Sequence, residues 1–157
     1  MVQAIGIVEG AAAADLQALV QILAEDEVGG KGDAWTDDCA PRYRAAFEAI
    51  LANPDHRVIV ARHEGRVLGF VHLYFLHGLP AHGRLKVVLN SVFVAAAARG
   101  MGVGARLVAA AEAIARQGGA TEVTLTSSKK RVDAHRFYRN LGYEQRHEGF
   151  GKALPGQ

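Results

Sequence analysis

The chain has 157 residues, enough for one domain with a single sizeable core. Half of the residues are apolar, 22% are charged and the formal net charge is +2, a balance that fits a globular protein. Lys and Arg are spread along the chain apart from a cluster at Lys129, Lys130 and Arg131, so the contiguous basic face of a nucleic-acid binder is missing. The single cysteine, Cys39, rules out an internal disulfide; its acidic neighbours Asp37 and Asp38 would raise its pKa, and an inert thiol is expected. No apolar run reaches the ~18 residues of a membrane span, and the N-terminus lacks the basic and apolar regions of a signal peptide. The cytoplasm is the expected compartment, with no membrane or nucleic-acid partner.

In chain order, QAIGIVEG reads as a first strand. AADLQALVQILAEDEV follows as a helix, with Leu16, Leu19, Val20 and Leu23 at helical spacing. After the polar loop GGKGDAWTDD, PRYRAAFEAILAN is a second helix: Pro41 suits its first position, and Tyr43, Phe47, Ile50 and Leu51 share a face. Asn53-Pro54 stops it. HRVIVARHEGRVLGFVHLYFL predicts two strands turning at Glu64-Gly65, and GRLKVVLNSVFV a further long strand. A helix with Val103, Leu107, Val108, Ala111 and Ile114 inward ends at Gly118-Gly119. TEVTLTS is a strand; DAHRFYRNLGY is a helix with Asp133 as N-cap and Gly142 as C-cap. EQRHEGFGKAL is expected to form a last strand or hairpin. The order predicts one α/β domain of α+β type over residues 1–157, with helices flanking a mixed, mostly antiparallel sheet.

The run RGMGVG, Arg99 to Gly104, lies between the long strand and the helix ARLVAAAEAIA, a place where phosphates bind. A P-loop needs Lys-Ser or Lys-Thr after the last glycine, and Ala105-Arg106 stands there instead. Gly100, Gly102 and Ala105 do satisfy the dinucleotide pattern G-x-G-x-x-A. However, too little chain follows for a doubly wound sheet, and TEVTLTS ends without an acid for a ribose. A pyrophosphate cradle fits better. Without Cβ atoms the backbone can approach an oxyanion, and the unpaired N–H groups of the first helical turn, with the helix dipole, favour negative charge. A plain tight turn would need only one or two of the glycines.

At these residues the chain resembles the GNAT superfamily of N-acetyltransferases. VFVAAAARGMGVGARLV resembles that family's acetyl-CoA motif, with Arg99-x-x-Gly102-x-Gly104 in register, and AHRFYRNLGYE resembles its second motif through Ala134, Tyr138, Gly142 and Tyr143. The resemblance covers most of the chain in element order. It implies central strands that splay apart to admit acetyl-CoA, with the Phe93–Val94 backbone pairing with the pantetheine arm. It further implies that the N–H groups of Gly100, Met101, Gly102, Val103, Gly104 and Ala105 hold the pyrophosphate, and that Tyr138 is a candidate general acid for the leaving thiolate. A phenol of ordinary pKa near 10 can supply that proton.

Two departures stand out. Many family members carry Glu near the position of Asn90, where it draws a proton from the amine through water; LNS offers no carboxylate there. Many carry Asn at the position of Arg131, which here either meets a CoA phosphate or is a solvated charge. His135, one turn before Tyr138, is placed to touch CoA, to act as a base or to face solvent. Trp35, with Asp33, Asp37 and Asp38 around it, either borders an acceptor pocket for a cationic amine or belongs to a solvated loop. Tyr74 and His72, on one strand face, are weaker acceptor-site candidates. The seven histidines include no metal-ligating spacing such as H-E-x-x-H, so no metal is expected.

The resulting expectation is direct transfer of an acetyl group from acetyl-CoA to a primary amine, small-molecule or peptide, in a ternary complex. A non-catalytic acyl-CoA-binding sensor or interaction module is the alternative. Sheet edges and the C-terminal strand leave a homodimer open, and the acceptor is not legible.

Overall fold

In a computed structural model, residues 6–156 of the chain are described. Five strands, β1 (Gly6–Glu9), β2 (His56–His63), β3 (Arg66–His77), β4 (Leu85–Val94) and β5 (Glu122–Leu125), form one sheet in sequence order. The first four pair antiparallel and β5 pairs parallel to β4. Part of the expected first strand, Gln3 to Ile5, lies outside the described residues. β2 and β3 turn at Glu64-Gly65 as expected, with Gly65 at φ +77°. Between β3 and β4, α3 (Pro80–Gly83) is a single turn in which Ala81 and His82 take left-handed φ values.

The helices cover both faces. α1 (Leu16–Ala24) and α2 (Ala40–Ala52) bury Leu19, Val20 and Phe47 against Val58, Val60 and Phe70. α4 (Val103–Gln117) buries Leu107, Val108 and Ala111 against Ile59, Leu73 and Val87 on the other face. Both Leu73 and Leu107 are 0% exposed. α5 (Val132–Asn140) completes this second layer with Phe137 and Tyr138. The strand alternation thus divides the apolar residues between two cores.

α1 is shorter than its apolar spacing predicts. A 3-10 turn, Ala13–Asp15, precedes it, and it ends at Ala24 although the expected helix runs on through Val28. The next two carboxylates have other partners. Glu25 accepts the backbone N–H of Ala96 at 2.6 Å, and Asp26 pairs with Arg131, one of its contacts being 2.9 Å. At the other end, Asp15 accepts the Ala12 N–H at 2.8 Å and pairs with Arg62 at 2.6 Å.

Two other expectations are corrected. Asp133 is not the N-cap of α5. Arg131 holds that position, its carbonyl accepting the His135 N–H at 3.0 Å, while Asp133 is in the first turn and pairs with Arg136 at 3.5 Å. No strand follows Tyr143 among the described residues; 144–156 are irregular. The large apolar residues of that segment, Phe150 and Leu154, are 96% and 76% exposed, and glycines flank Phe150, so no alternating apolar face is available to bury. Gly142 does end α5, one place beyond the cap residue Leu141. At φ +89° it lets Tyr143 donate to the Tyr138 carbonyl at 3.0 Å while Gly142 donates to Arg139.

Leu107→Ala should cost about 2–5 kcal/mol of stability, read as a lower urea midpoint at unchanged slope. The Asp26–Arg131 pair sets an acid limb. The Arg131 guanidinium holds the Asp26 carboxyl below its ordinary range, against the opposing effect of burial. Its contribution is complete above the unfolded pKa near 4 and is lost as pH falls through the lower folded value. Asp26→Asn should therefore cost about 1–3 kcal/mol at pH 7 and flatten the loss of stability between about pH 4 and 2.

Candidate functional site

The site begins where β4 leaves β5. β4 pairs with β3 along its whole length, from Leu85 to Val94, but with β5 only from Lys86 to Leu89. At that point Ser91 is opposite His72 and Leu89 opposite Leu73, so Asn90 is an extra, bulged residue. Beyond it β4 has no neighbour on the β5 side, and its backbone from Asn90 to Val94 borders a gap. Phe93 and Val94 line this stretch from opposite faces. The Phe93 ring stacks on Phe70 with centroids 5.8 Å apart and lies 5.9 Å from the Arg131 guanidinium, whereas Val94 packs into the α4 core.

The glycine run follows directly. Gly100 and Gly102 have φ +77° and +80°, which a side chain would strain, and a Cβ at either would meet nothing within 4 Å. Both therefore turn the chain into α4 while leaving open space above the turn. Gly104 serves a different need: a Cβ there would lie 3.3 Å from the Phe137 ring, so its bare backbone lets α5 sit close. Among the described residues, the backbone N–H groups of Gly100, Met101, Gly102, Val103, Gly104 and Ala105 have no protein acceptor. They surround the positive end of a 15-residue helix. Met101 is exposed beside them, and Arg99 donates from Nε to the Val94 carbonyl at 3.3 Å, fixing the corner between strand and helix.

The opposite wall comes from the end of β5 and from α5. Ser127 Oγ is buried with no hydrogen-bond partner among the described residues, two residues past the last paired residue of β5. Tyr138 packs edge-on to Phe137 and Tyr143, with centroids 5.0 and 5.7 Å away. Burial pushes its phenol up to about 12, partly offset by Arg131, so it holds its proton throughout the neutral range. Tyr143 is not available in the same way, since its hydroxyl donates to Glu112 at 2.9 Å. Arg131 is not the solvated charge that was one of its two expected states: it is bound to Asp26. His135 is likewise engaged, its Nε2 lying 2.9 Å from the Ser128 carbonyl oxygen.

On the α1–α2 face, a cavity of about 170 Å³ reaches the bulge. Leu19, Leu23, Phe47 and Tyr43 give it apolar walls, and His72 and Ser91 provide polar groups on the sheet side. Trp35 is near this cavity, stacked on Tyr43 at 6.3 Å, with the Arg44 guanidinium 5.5 Å from its ring. The Tyr43 hydroxyl donates to Asp33 at 2.7 Å. Tyr74 stacks on His56 at 5.3 Å. The sequence reading did not single out His56, Ser91, Ser127 or Glu25. For His56 a signal exists, since it shares the face of Val58 and Val60, but its partner depends on strand register.

The chain's relatives agree with this architecture. Residues 16–143 match the family model described as acetyltransferase (GNAT) family. The aminoalkylphosphonate N-acetyltransferase of Salmonella typhimurium (strain LT2) is 38% identical over 112 residues, covering 71% of this chain and 72% of that protein. YhfO of Bacillus subtilis (strain 168), described as an uncharacterized N-acetyltransferase, is 34% identical over 101 residues, 64% of this chain and 67% of that protein. Among solved structures, a protein from Bacillus halodurans C-125 described as a transcriptional regulator superposes with TM-score 0.91 at 32% identity, covering 96% of this chain and 100% of that chain. Among the described residues no helix is long and apolar enough to cross a membrane. With its sheet, its glycine turn and most of its length matched, the chain belongs to the GNAT family of acetyltransferases.

Proposed function

We propose that the protein transfers an acetyl group from acetyl-CoA to a primary amine, with both substrates bound at once. The observation that carries this reading is the run of unpartnered N–H groups from Gly100 to Ala105, placed where β4 has lost its neighbour. Those donors suit a pyrophosphate, each N–H bond to a charged oxygen contributing about 1.5–3 kcal/mol. The free edge of β4 suits an extended amide-bearing arm such as pantetheine. Acetyl-CoA supplies the activated thioester.

The chain's own groups then divide the work. The β4 edge at Phe93–Val94 aligns the arm as an added strand would. Tyr138 keeps its proton in its buried setting and donates it to sulfur as the carbon–sulfur bond breaks. No side chain placed here has the surroundings of an activated nucleophile, which favours direct attack by the amine over an acyl-enzyme. The apolar cavity by His72, Ser91 and Tyr43 is the acceptor's place, with Trp35 and Tyr74 at its margins. The relative from Salmonella is named for aminoalkylphosphonates, and that class heads the candidate acceptors, with other small amines behind it.

The alternative, an acyl-CoA-binding module without chemistry, is favoured by the lack of a carboxylate at Asn90. Release of free thiol from acetyl-CoA across a panel of amines, aminoalkylphosphonates included, separates the two: turnover with at least one amine is expected, and binding without turnover would overturn the enzymatic reading. Tyr138→Phe should lower turnover about 10²-fold or more while leaving acetyl-CoA affinity in place, measured by thiol release and calorimetry. Gly102→Glu should abolish calorimetric binding of acetyl-CoA, because the new side chain strains the turn and sets a carboxylate against the phosphates.

A further inference from the structure

One cluster on the acceptor side has contacts that lining the cavity does not account for. Three side chains from adjacent strands form a chain of contacts: Asn90 Nδ2 lies 3.3 Å from His72 Nδ1, and His72 Nε2 lies 2.8 Å from His56 Nδ1. The two imidazoles are tilted with centroids 5.1 Å apart, and the Tyr74 ring lies beside both, 5.3 Å from His56 and 6.4 Å from His72. The β4 bulge creates this arrangement. It turns Asn90 and Ser91 toward the same face as His72, so the cluster touches both the gap and the cavity.

We propose that His72 accepts the proton released by the acceptor amine and passes charge to His56, the pair serving as the base at this site. The proposal rests on the acetyl-transfer reading above. Asn90 donating to Nδ1 leaves the His72 proton on Nε2, where it donates to His56 Nδ1. At 3.3 Å the Asn90 contact is the longer of the two, and it is the one that an entering ammonium, or a water it holds, displaces. The amine N–H bond then breaks, leaving its electron pair on nitrogen, and an N–H bond forms at His72 Nδ1. In turn the His72 Nε2–H bond breaks and one forms at His56 Nδ1. His72 ends neutral, His56 carries the charge and releases it to solvent, and the free amine attacks the thioester. His72 is the catalytic residue; His56 acts through it and is a positioning residue.

The surroundings fit a conduit better than a store of charge. Burial, and secondarily His56, pushes His72 down to about 4, so it is neutral at physiological pH and does not retain a proton it receives. The titratable groups facing it are His56 from β2, Tyr74 from its own strand, and Tyr43 from α2, whose hydroxyl is held by Asp33. α1 contributes only aliphatic side chains to the cavity, and β4 offers the uncharged Asn90 and Ser91.

The test compares wild type with His72→Gln and His56→Gln on the best amine of the panel. His72→Gln should keep its acetyl-CoA affinity within about twofold but lose about 10²-fold in kcat/KM at pH 7. That deficit should shrink about tenfold per pH unit on the alkaline side, as solvent supplies more free amine. His56→Gln should lower kcat with KM unchanged. An active wild type with an unaltered rate and profile in His72→Gln would overturn the relay and leave acetyl transfer standing. A wild type that binds acetyl-CoA yet acetylates no amine would overturn both. Independently of activity, ring-nitrogen NMR of the wild type should find the His72 proton on Nε2; a proton on Nδ1 would overturn the relay on its own.

Discussion

Most of the site depends on one constraint, the parting of β4 from β5 after Leu89. A parallel pair that continued to Val94 would satisfy the β4 backbone and leave no edge for a ligand. The extra residue at Asn90 prevents this. It switches the side-chain alternation, so Val87 and Leu89 face the α4 core before the bulge and Val92 and Val94 face it afterwards. The same switch leaves Asn90 and Ser91, consecutive in sequence, on the cavity side. Beyond it β4 runs on to the glycine turn without β5 paired beside it. One inserted residue thus produces an open strand edge, a polar floor for the cavity and the approach to the α4 N-terminus.

The acceptor-side helices are fastened to both walls of the gap by the two residues after α1. Glu25 binds the Ala96 N–H just past β4, and Asp26 binds Arg131 at the start of α5. Arg131 in turn lies over Phe93. Charge-assisted bonds of this kind are worth about 1.5–3 kcal/mol each, so the loop after α1 cannot move without loosening contacts to the donor side. That gives a physical reason for α1 to stop short of its apolar pattern: residues whose side chains must reach sideways are poorly served by continuing the helix.

The parts of this arrangement legible in the sequence are those encoded locally. The hairpin at Glu64-Gly65, the amphipathic spacing of α4 and the closing glycines Gly119 and Gly142 each follow from a few neighbouring residues. The glycine run could be read as the turn into α4 because the positive φ of Gly100 and Gly102 needs no distant partner. Register is different. The two-residue turn alone would pair His56 with Leu73; the extra residue Leu68 in β3 shifts the pairing to Tyr74 and brings His56 within reach of His72. No local propensity marks Leu68 as a bulge, and although Asn90 is a poor strand former, that alone does not say which residue the neighbouring strand skips. Arg131 was ambiguous for the same reason: its partner Asp26 is 105 residues away. The tail beyond Tyr143 was misread in the opposite direction, its alternation being too weak in apolar residues to hold a strand.

The chemistry of the acceptor side follows from what stands at the bulge. A carboxylate beside a bound ammonium stabilises the cation and raises the amine's pKa, so the group that attracts the substrate also makes its proton harder to remove. Asn90 and a neutral His72 impose no such charge. On the proposed reading, an amine entering the cavity between Leu19, Phe47 and Tyr43 is desolvated, which lowers its pKa instead, and meets an uncharged imidazole rather than an anion. On that reading the site gives up long-range attraction for a cationic acceptor in exchange for easier deprotonation where the amine would meet the thioester. A carboxylate installed at Asn90 would reverse both effects together, because binding and deprotonation act on the same positive charge.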